Sequence, residues 1–178
     1  MGRSSEAVMV EVYIALGSNL DDRLAWLREA RHCLGGVLTG LRTSSIYETD
    51  PVGYEQQPRY LNAVVAGTTD LTPFDLLHMV QMIEADLGRV RPFPNAPRTI
   101  DLDLLLYDEL MLETPDLTLP HPRLHERFFV LVPLAELAPG LRHPRLNQTI
   151  EELLRALGTP SGIERIADGT ALGGQAAP

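Results

Sequence analysis

The apolar positions of the chain switch between a period of two and a helical period. Val8 to Leu16 alternates loosely and is rich in Val, Ile and Tyr, which predicts a strand. Gly17-Ser18-Asn19 interrupts it, and Asp21 and Asp22 follow where a helix N-terminus favours negative charge. Leu24, Leu27, Ala30, Arg31 and Leu34 recur at helical spacing until Gly35-Gly36 stops them. The Gly-Ser-Asn turn reads as a cap for this helix rather than a ligand contact. Val37 to Thr49 predicts a second strand, Asp50 to Pro58 a mobile loop with turn chemistry, and Tyr60 to Thr69 a third strand. Thr72 and Pro73 open a second helix whose stripe is Leu76, Val80, Ile83 and Leu87, closed by Gly88. Gln81 and Glu84 lie off that stripe and are expected in solvent.

A proline-rich loop, Arg89 to Arg98, leads into a strand over Thr99 to Tyr107. A turn at Asp108-Glu109 and short pairing segments at Leu110 to Leu112 and Leu117 to Leu119 come next. A basic loop, Pro120 to Arg127, precedes a helix over Phe128 to Leu137, expected despite Pro133. Thr149 caps a last helix that Gly158 ends, and beyond Thr159 the Gly, Ala and Pro content predicts a loose tail. The order β-α-β-β-α-β is that of an α+β ferredoxin-like sandwich, an antiparallel sheet with two helices on one face, here with additional C-terminal helices. The other sheet face is then expected to be free for a site. Residues 1–160 form a single domain in this reading, and 161–178 the tail.

Composition narrows the possibilities. The 178 residues are 44% hydrophobic and carry a net charge of −9, which excludes nonspecific nucleic-acid binding but not a local anion site. A single cysteine, Cys33, rules out an intrachain disulfide and fits a reducing cytoplasm. No apolar run reaches a membrane-spanning length of about 18 residues, and Met1 to Ala7 has no signal-peptide character. The expected protein is a cytoplasmic monomer that binds small molecules and neither nucleic acid nor membrane.

The chemistry centres on Pro97-Arg98-Thr99-Ile100-Asp101-Leu102-Asp103-Leu104-Leu105-Leu106. In a strand, Asp101 and Asp103 point to one face, their Cα atoms roughly 7 Å apart. Two carboxylates in an apolar strand are costly unless neutralised, either by arginines in a salt-bridge network or by a hard cation such as Mg²⁺. Arg89, Arg91 and Arg98 stand directly before the pair, and the loop after it carries His121, Arg123, His125 and Arg127. Tyr60 and Asn62 share a strand face, an aromatic ring beside an amide that suits a flat heterocycle as well as it suits core packing. No P-loop, kinase glycine loop or His-Arg-Asp motif is present. Paired acids among arginines suit Mg²⁺-assisted phosphoryl transfer. An Asp-x-Asp nucleotide-sugar transferase needs a longer chain of parallel βαβ units. A non-catalytic ferredoxin-like ligand-sensing module does not need the converging charges.

The ordered motifs YIALGSNL (13–20), SSIYETDPVG (44–53), YLNAVV (60–65), GRVR (88–91), PRTIDLDLLL (97–106) and LPHPRLHERFFVLVPLAELAP (119–139) resemble the 6-hydroxymethyl-7,8-dihydropterin pyrophosphokinase family. The resemblance covers Tyr13 to about Pro139. It implies transfer of pyrophosphate from ATP to the hydroxymethyl group of the pterin, with release of AMP, in folate biosynthesis. It implies ATP as co-substrate and two Mg²⁺ ions held by Asp101 and Asp103. It implies that Arg89 and Arg98 stabilise the transferred group, and that Gln81, Arg91, Arg98, His121 and Arg127 contact ATP. By the same resemblance Tyr60 and Phe129 flank the pterin, while Asn62 and Thr49 bond its polar edge. The loops 50–58 and 89–98 would close over the ligands. Phe93-Pro94-Asn95-Ala96 departs from the family's common Trp-Gly pattern, which points to Phe93 as a substitute nucleotide seal, and Pro122 stands where some members have Tyr. The hydroxymethyl proton would pass to Asp103, or polarisation by metal would suffice without a base.

Overall fold

The computed structural model describes residues 7–174. Its strands are β1 (Val10–Ser18), β2 (Thr39–Thr43), β3 (Ile46–Thr49), β4 (Tyr60–Thr69), β5 (Asp101–Tyr107), β6 (Leu112–Glu113), β7 (Thr118–Leu119) and β8 (Ile163–Ala167). Its helices are α1 (Arg23–Leu34), α2 (Pro73–Asp86), α3 (Phe128–Leu137) and α4 (Ile150–Leu157). The main sheet runs β5-β1-β4-β3-β8, with β2 also pairing β4, and every pairing is antiparallel. The expected ferredoxin-like order is present.

One sheet face packs on α1 and α2. Val12, Ile14 and Leu16 of β1 meet Leu27, Ala30 and Leu34 of α1 and Leu76, Val80 and Ile83 of α2 there. The opposite face, expected to be free, is half covered by α3 and α4. Tyr13, Val64 and Leu105 pack there against Val130, Leu131, Leu134 and Leu153. This sandwiching explains why β4 is buried almost throughout and reads as a near-continuous apolar run. The end of that face nearest Gly17, Asn62 and Asp101 stays open. Leu105 is an extra residue in the β1–β5 ladder, where Tyr13 pairs Leu106 and Ile14 pairs Leu104. The bulge lets Leu105 and Leu106 both face α3, while Asp101 and Asp103 share the open end of that face.

Several boundaries differ from expectation. The segment 37–49 is two strands, with Ser44 and Ser45 buried between them, and β5 begins at Asp101 rather than Thr99. Asp22, not the Gly-Ser-Asn turn, caps α1 by accepting from Ala25 N at 3.1 Å. The first segment of the small sheet, expected over Leu110 to Leu112, is Leu112–Glu113, paired with β7. Thr149 and Glu152 form a reciprocal capping box on α4, as the sequence suggested for Thr149.

The stretch from residue 161, expected to be loose, is ordered as far as 174. β8 adds to the edge of β3, and Leu172 enters the α1-side core at 4% exposure. Truncating a leucine so buried costs about 2–5 kcal/mol, one contribution beside the β3–β8 ladder and the side-chain bonds of Arg28 and Arg165 to holding the segment in place. Residues 175–178 lie outside the described range.

Candidate active site

The register of the three central strands builds the floor of the site. Gly17 of β1 pairs with Asn62 of β4 on one side and Asp101 of β5 on the other, and Ala15 pairs with Asp103. A Cβ at Gly17 would lie 2.9 Å from Asn62 Oδ1, so the strip between the carboxylates and the amide must be bare backbone. Above this floor opens a cavity of about 280 Å³.

At one end lie the charges. Arg89 is almost fully buried and bonds both Glu84 Oε1 and, at 2.5 Å, Asp101 Oδ1. Arg98 reaches Asp101 Oδ2 at 3.4 Å through Nη1 and donates from Nε to Tyr60 Oη at 2.9 Å. Glu84 also accepts from Leu102 N at 2.7 Å and sits 3.5 Å from Arg91. Glu84 was expected in solvent but is only 5% exposed. It stands four residues after Val80 and eight after Leu76, in phase with the apolar stripe, and that periodicity is the signal that could have found it. Burial raises its carboxyl above the usual range, opposed by the Leu102 amide and by Arg89.

Asp103 faces the same cavity, with no arginine bonded to it among the described residues. Burial first, and then the neighbouring charges of Asp101 and Glu84, push it well above the usual carboxylate range. A carboxylate held this way gains from a cation. Among the described residues no three His, Cys, Asp or Glu side chains cluster to form an all-protein metal cage. Two carboxylates with open space before them instead suit Mg²⁺, which keeps waters and takes its other ligands from phosphates. The donor set therefore fits the ion.

His121 and Arg127 form the far wall. Arg123 N donates to His121 Nδ1 at 3.1 Å, which leaves Nε2 as the protonated nitrogen of the neutral ring. Burial, helped by the charge of Arg127, lowers His121 to about 4, so at neutral pH it is an uncharged donor. Among the described residues, the Nε of Arg127 is buried without a partner, as is the Nε of Arg89. Unpaired guanidinium donors beside a cavity are the atoms an anion would satisfy. Five arginines (89, 91, 98, 123 and 127) line the cavity of a chain whose net charge is −9.

At the other end the surfaces are flat and polar-edged. Tyr60 and Phe129 line it, with Arg98 over the first ring at 5.5 Å and Arg127 over the second at 5.4 Å. Asn62 Nδ2 donates to Thr49 Oγ1 at 2.5 Å, leaving the rest of the amide to the cavity. Thr49, Tyr60, Asn62, Arg89, Arg91, Arg98, Asp101, Asp103, His121, Arg127 and Phe129 are thus brought together. Gln81 is not. It lies on the exposed face of α2, outside the lining.

Asn19, expected only as part of a capping turn, instead braces the loops beside the cavity. Buried to 1% exposure, it donates to Gln57 Oε1 at 2.8 Å and Pro58 O at 3.0 Å and accepts from Arg98 N at 2.9 Å. One side chain thereby ties both loops to the end of β1. Phe93 stands outside the lining and packs edge-on against Tyr54 of the other loop at 5.4 Å, while Asn95 takes the place on the cavity wall.

Comparison with known proteins agrees with this geometry. A profile of the 7,8-dihydro-6-hydroxymethylpterin-pyrophosphokinase family matches residues 13–139. The 2-amino-4-hydroxy-6-hydroxymethyldihydropteridine pyrophosphokinase of Bacillus subtilis is 46% identical over 155 residues, which are 85% of this chain and 93% of that protein. The protein of the same name from Pseudomonas aeruginosa is 43% identical over 157 residues, 87% and 96% of the two chains. Among solved structures, wild-type Plasmodium falciparum HPPK-DHPS superposes with a TM-score of 0.73 at 16% identity, a likeness of fold. That match covers 93% of this chain and 50% of the longer one.

Proposed function

The chain belongs to the 7,8-dihydro-6-hydroxymethylpterin-pyrophosphokinase family, and from that premise we infer how its cavity carries out ATP-dependent pyrophosphate transfer in folate biosynthesis. The acceptor is the hydroxymethyl oxygen of 6-hydroxymethyl-7,8-dihydropterin. Its oxygen forms a bond to the β-phosphorus of ATP, the bond between that phosphorus and the α,β-bridging oxygen breaks, AMP leaves, and the hydroxyl proton is released. The observation that carries the reading is the polarity of the cavity: a guanidinium-rich, carboxylate-bearing end and an aromatic end with an amide edge meet over the bare backbone of Gly17.

In this reading the heterocycle lies between Tyr60 and Phe129, and the Asn62–Thr49 pair bonds its polar edge. The ring stacking supplies area and the amide supplies selection, because an edge lacking complementary groups leaves Asn62 unpaired. The triphosphate lies across Arg89, Arg91, Arg98, Arg127 and the Nε2–H of His121. Arg98 spans the junction, since Tyr60 and Asp101 hold its two ends. It therefore stands where charge moves from the transferred group to the departing AMP, and Arg89 backs it from the buried side. Asp101 and Asp103 would hold two Mg²⁺ ions, which when bound neutralise phosphoryl oxygens and polarise the phosphorus. Asp103, free of arginine, is the carboxylate placed to take the hydroxyl proton if a base is used.

The test is product identity. Incubating the chain with ATP, Mg²⁺ and the reduced pterin must yield AMP in step with pterin consumption, and no AMP when the pterin is omitted. Formation of ADP, or nucleotide hydrolysis independent of pterin, contradicts the reading.

A further inference from the structure

The C-terminal segment carries none of the groups invoked above, yet it walls a hollow that adjoins the aromatic end of the cavity. Ser161, Gly162 and Ile163 line this second hollow of about 270 Å³, which shares Thr49, Asp50, Val52, Phe129, Arg123 and Arg127 with the main cavity. Thr49 pairs with Ile163 across the β3–β8 ladder, and Asp50 N donates to Gly162 O at 2.9 Å. The backbone of Thr49 and Asp50, where the sheet gives way to the 50–58 loop, is thus held from outside by this segment.

The fit at Gly162 is close. Its φ is +65°, and a Cβ there would stand 2.5 Å from Asp50 Oδ2 and 3.2 Å from Asp50 Cγ. The Asp50 carboxylate is tethered on its other side, where Oδ1 accepts from Arg59 Nε at 2.9 Å. The rest of the segment is anchored at three further points. Arg165 Nε donates to Ser45 Oγ at 2.7 Å, Arg28 Nε donates to Ala171 O at 2.7 Å, and Leu172 is buried in the core. At Gly169 a Cβ would come within 2.4 Å of Thr43 O, so the backbone lies flush against the start of the β2–β3 break.

We propose that residues 161–172 form a positioning strap for the pterin slot, and that Gly162 sets the slot's affinity by fixing Thr49 and Asp50. The inference rests on reading Thr49, Asn62, Tyr60 and Phe129 as that slot. The chain of contacts is short: Gly162 holds the Asp50 backbone, Asp50 follows Thr49, and Thr49 Oγ1 receives the Asn62 amide that selects the ligand edge. A side chain at 162 displaces Asp50, draws Thr49 with it and rotates Asn62. Arg123, Glu126 and Arg127 of the loop 120–127 face the strap across the second hollow. Among the described residues, however, no hydrogen bond in the β3–β8 ladder, at Asp50, at Ser45 or at Arg28 passes to that loop or to β5, so the nucleotide end is left in place.

The experiment is a double-mutant cycle read by calorimetry. The reduced pterin and a non-hydrolysable ATP analogue are titrated separately into the unmodified chain, Gly162→Ala, Asp50→Ala and the double variant. Gly162→Ala should weaken pterin binding about tenfold, the scale of one displaced hydrogen bond, while the affinity for the analogue stays within twofold. In the Asp50→Ala background, where the nearest remaining Asp50 atom is Cβ at an ordinary 3.4 Å, the same change should cost little pterin affinity. A general loosening of the fold would weaken both ligands together and would show no such rescue. Unchanged pterin affinity in Gly162→Ala, equal loss for both ligands, or an undiminished loss in the Asp50→Ala background overturns the strap. Failure of the unmodified chain to bind the reduced pterin overturns the slot itself, and the strap with it.

Discussion

Replacing Asn19 separates the two loops from the strand that joins them. The side chain is buried and makes three hydrogen bonds, two donated to Gln57 and Pro58 and one accepted from Arg98 N. Each is worth roughly 1 kcal/mol net, so Asn19→Ala should lower stability by about 3 kcal/mol. In a chain of this length that is a fall in Tm of roughly 6–12 °C. The backbone bond from Asn19 N to Arg98 O at 3.2 Å survives, so Arg98 shifts rather than detaches. A shift of about 1 Å in a group that acts on moving charge can cost two orders of magnitude in rate, and kcat should fall about 10- to 100-fold. Asn19→Asp distinguishes the two arms, because it keeps the acceptor for Arg98 N but sets a carboxylate oxygen against Gln57 Oε1 and Pro58 O. It should retain more of kcat than the alanine variant while raising KM for both substrates, since the 50–58 loop is then repelled. Thermal unfolding and steady-state AMP release on both variants check this. An alanine variant that loses stability with unaltered kcat, or an aspartate variant indistinguishable from wild type, refutes the linking role.

Three further outcomes follow from the cavity. Arg98→Ala should lower kcat by orders of magnitude with little loss of affinity for an ATP analogue, since its contribution is greatest as charge shifts; a defect confined to nucleotide affinity in binding titrations contradicts it. Asn62→Ala should cost about 1–3 kcal/mol of pterin binding, the penalty for leaving a polar edge unpaired, and an unchanged calorimetric pterin affinity would remove the amide from the site. Gln81→Ala, on an exposed helix face, should leave KM for ATP within twofold, whereas Glu84→Ala, which strips Arg89 of a buried partner, should lower stability by about 3–5 kcal/mol in chemical denaturation.

Period-two and helical patterns placed most of the secondary structure, because β1, β4, β5, α1 and α2 each bury a strongly apolar set of residues. They also placed the two ends of the cavity. Asp101 with Asp103, and Tyr60 with Asn62, are neighbours by strand period alone, and no tertiary information is needed to align them. What stayed hidden depends on contacts distant in sequence. Glu84 was expected off the apolar stripe of α2 although it is in phase with Leu76 and Val80, and only the packing of α2 against β5 supplies the Leu102 amide and Arg89 that make burial tolerable. Asn19 looked like a helix cap because its true partners lie 38, 39 and 79 residues away. β8 is short, mixed in polarity and set among Gly and Pro, so its pairing with β3 leaves no local signature. The covered sheet face was misjudged for the same reason: α3 and α4 were expected as helices, but where they pack is fixed by tertiary contact.

The central claim is that Asp101 and Asp103 bring nucleotide and pterin into reaction through a shared face of β5. Its most direct test is single-turnover AMP release by Asp101→Asn and Asp103→Asn, each with saturating ATP, Mg²⁺ and reduced pterin. Each variant keeps the size of the side chain and removes one charge, so each should still fold and should lose nearly all turnover. AMP release at close to the wild-type rate from either variant would contradict the account.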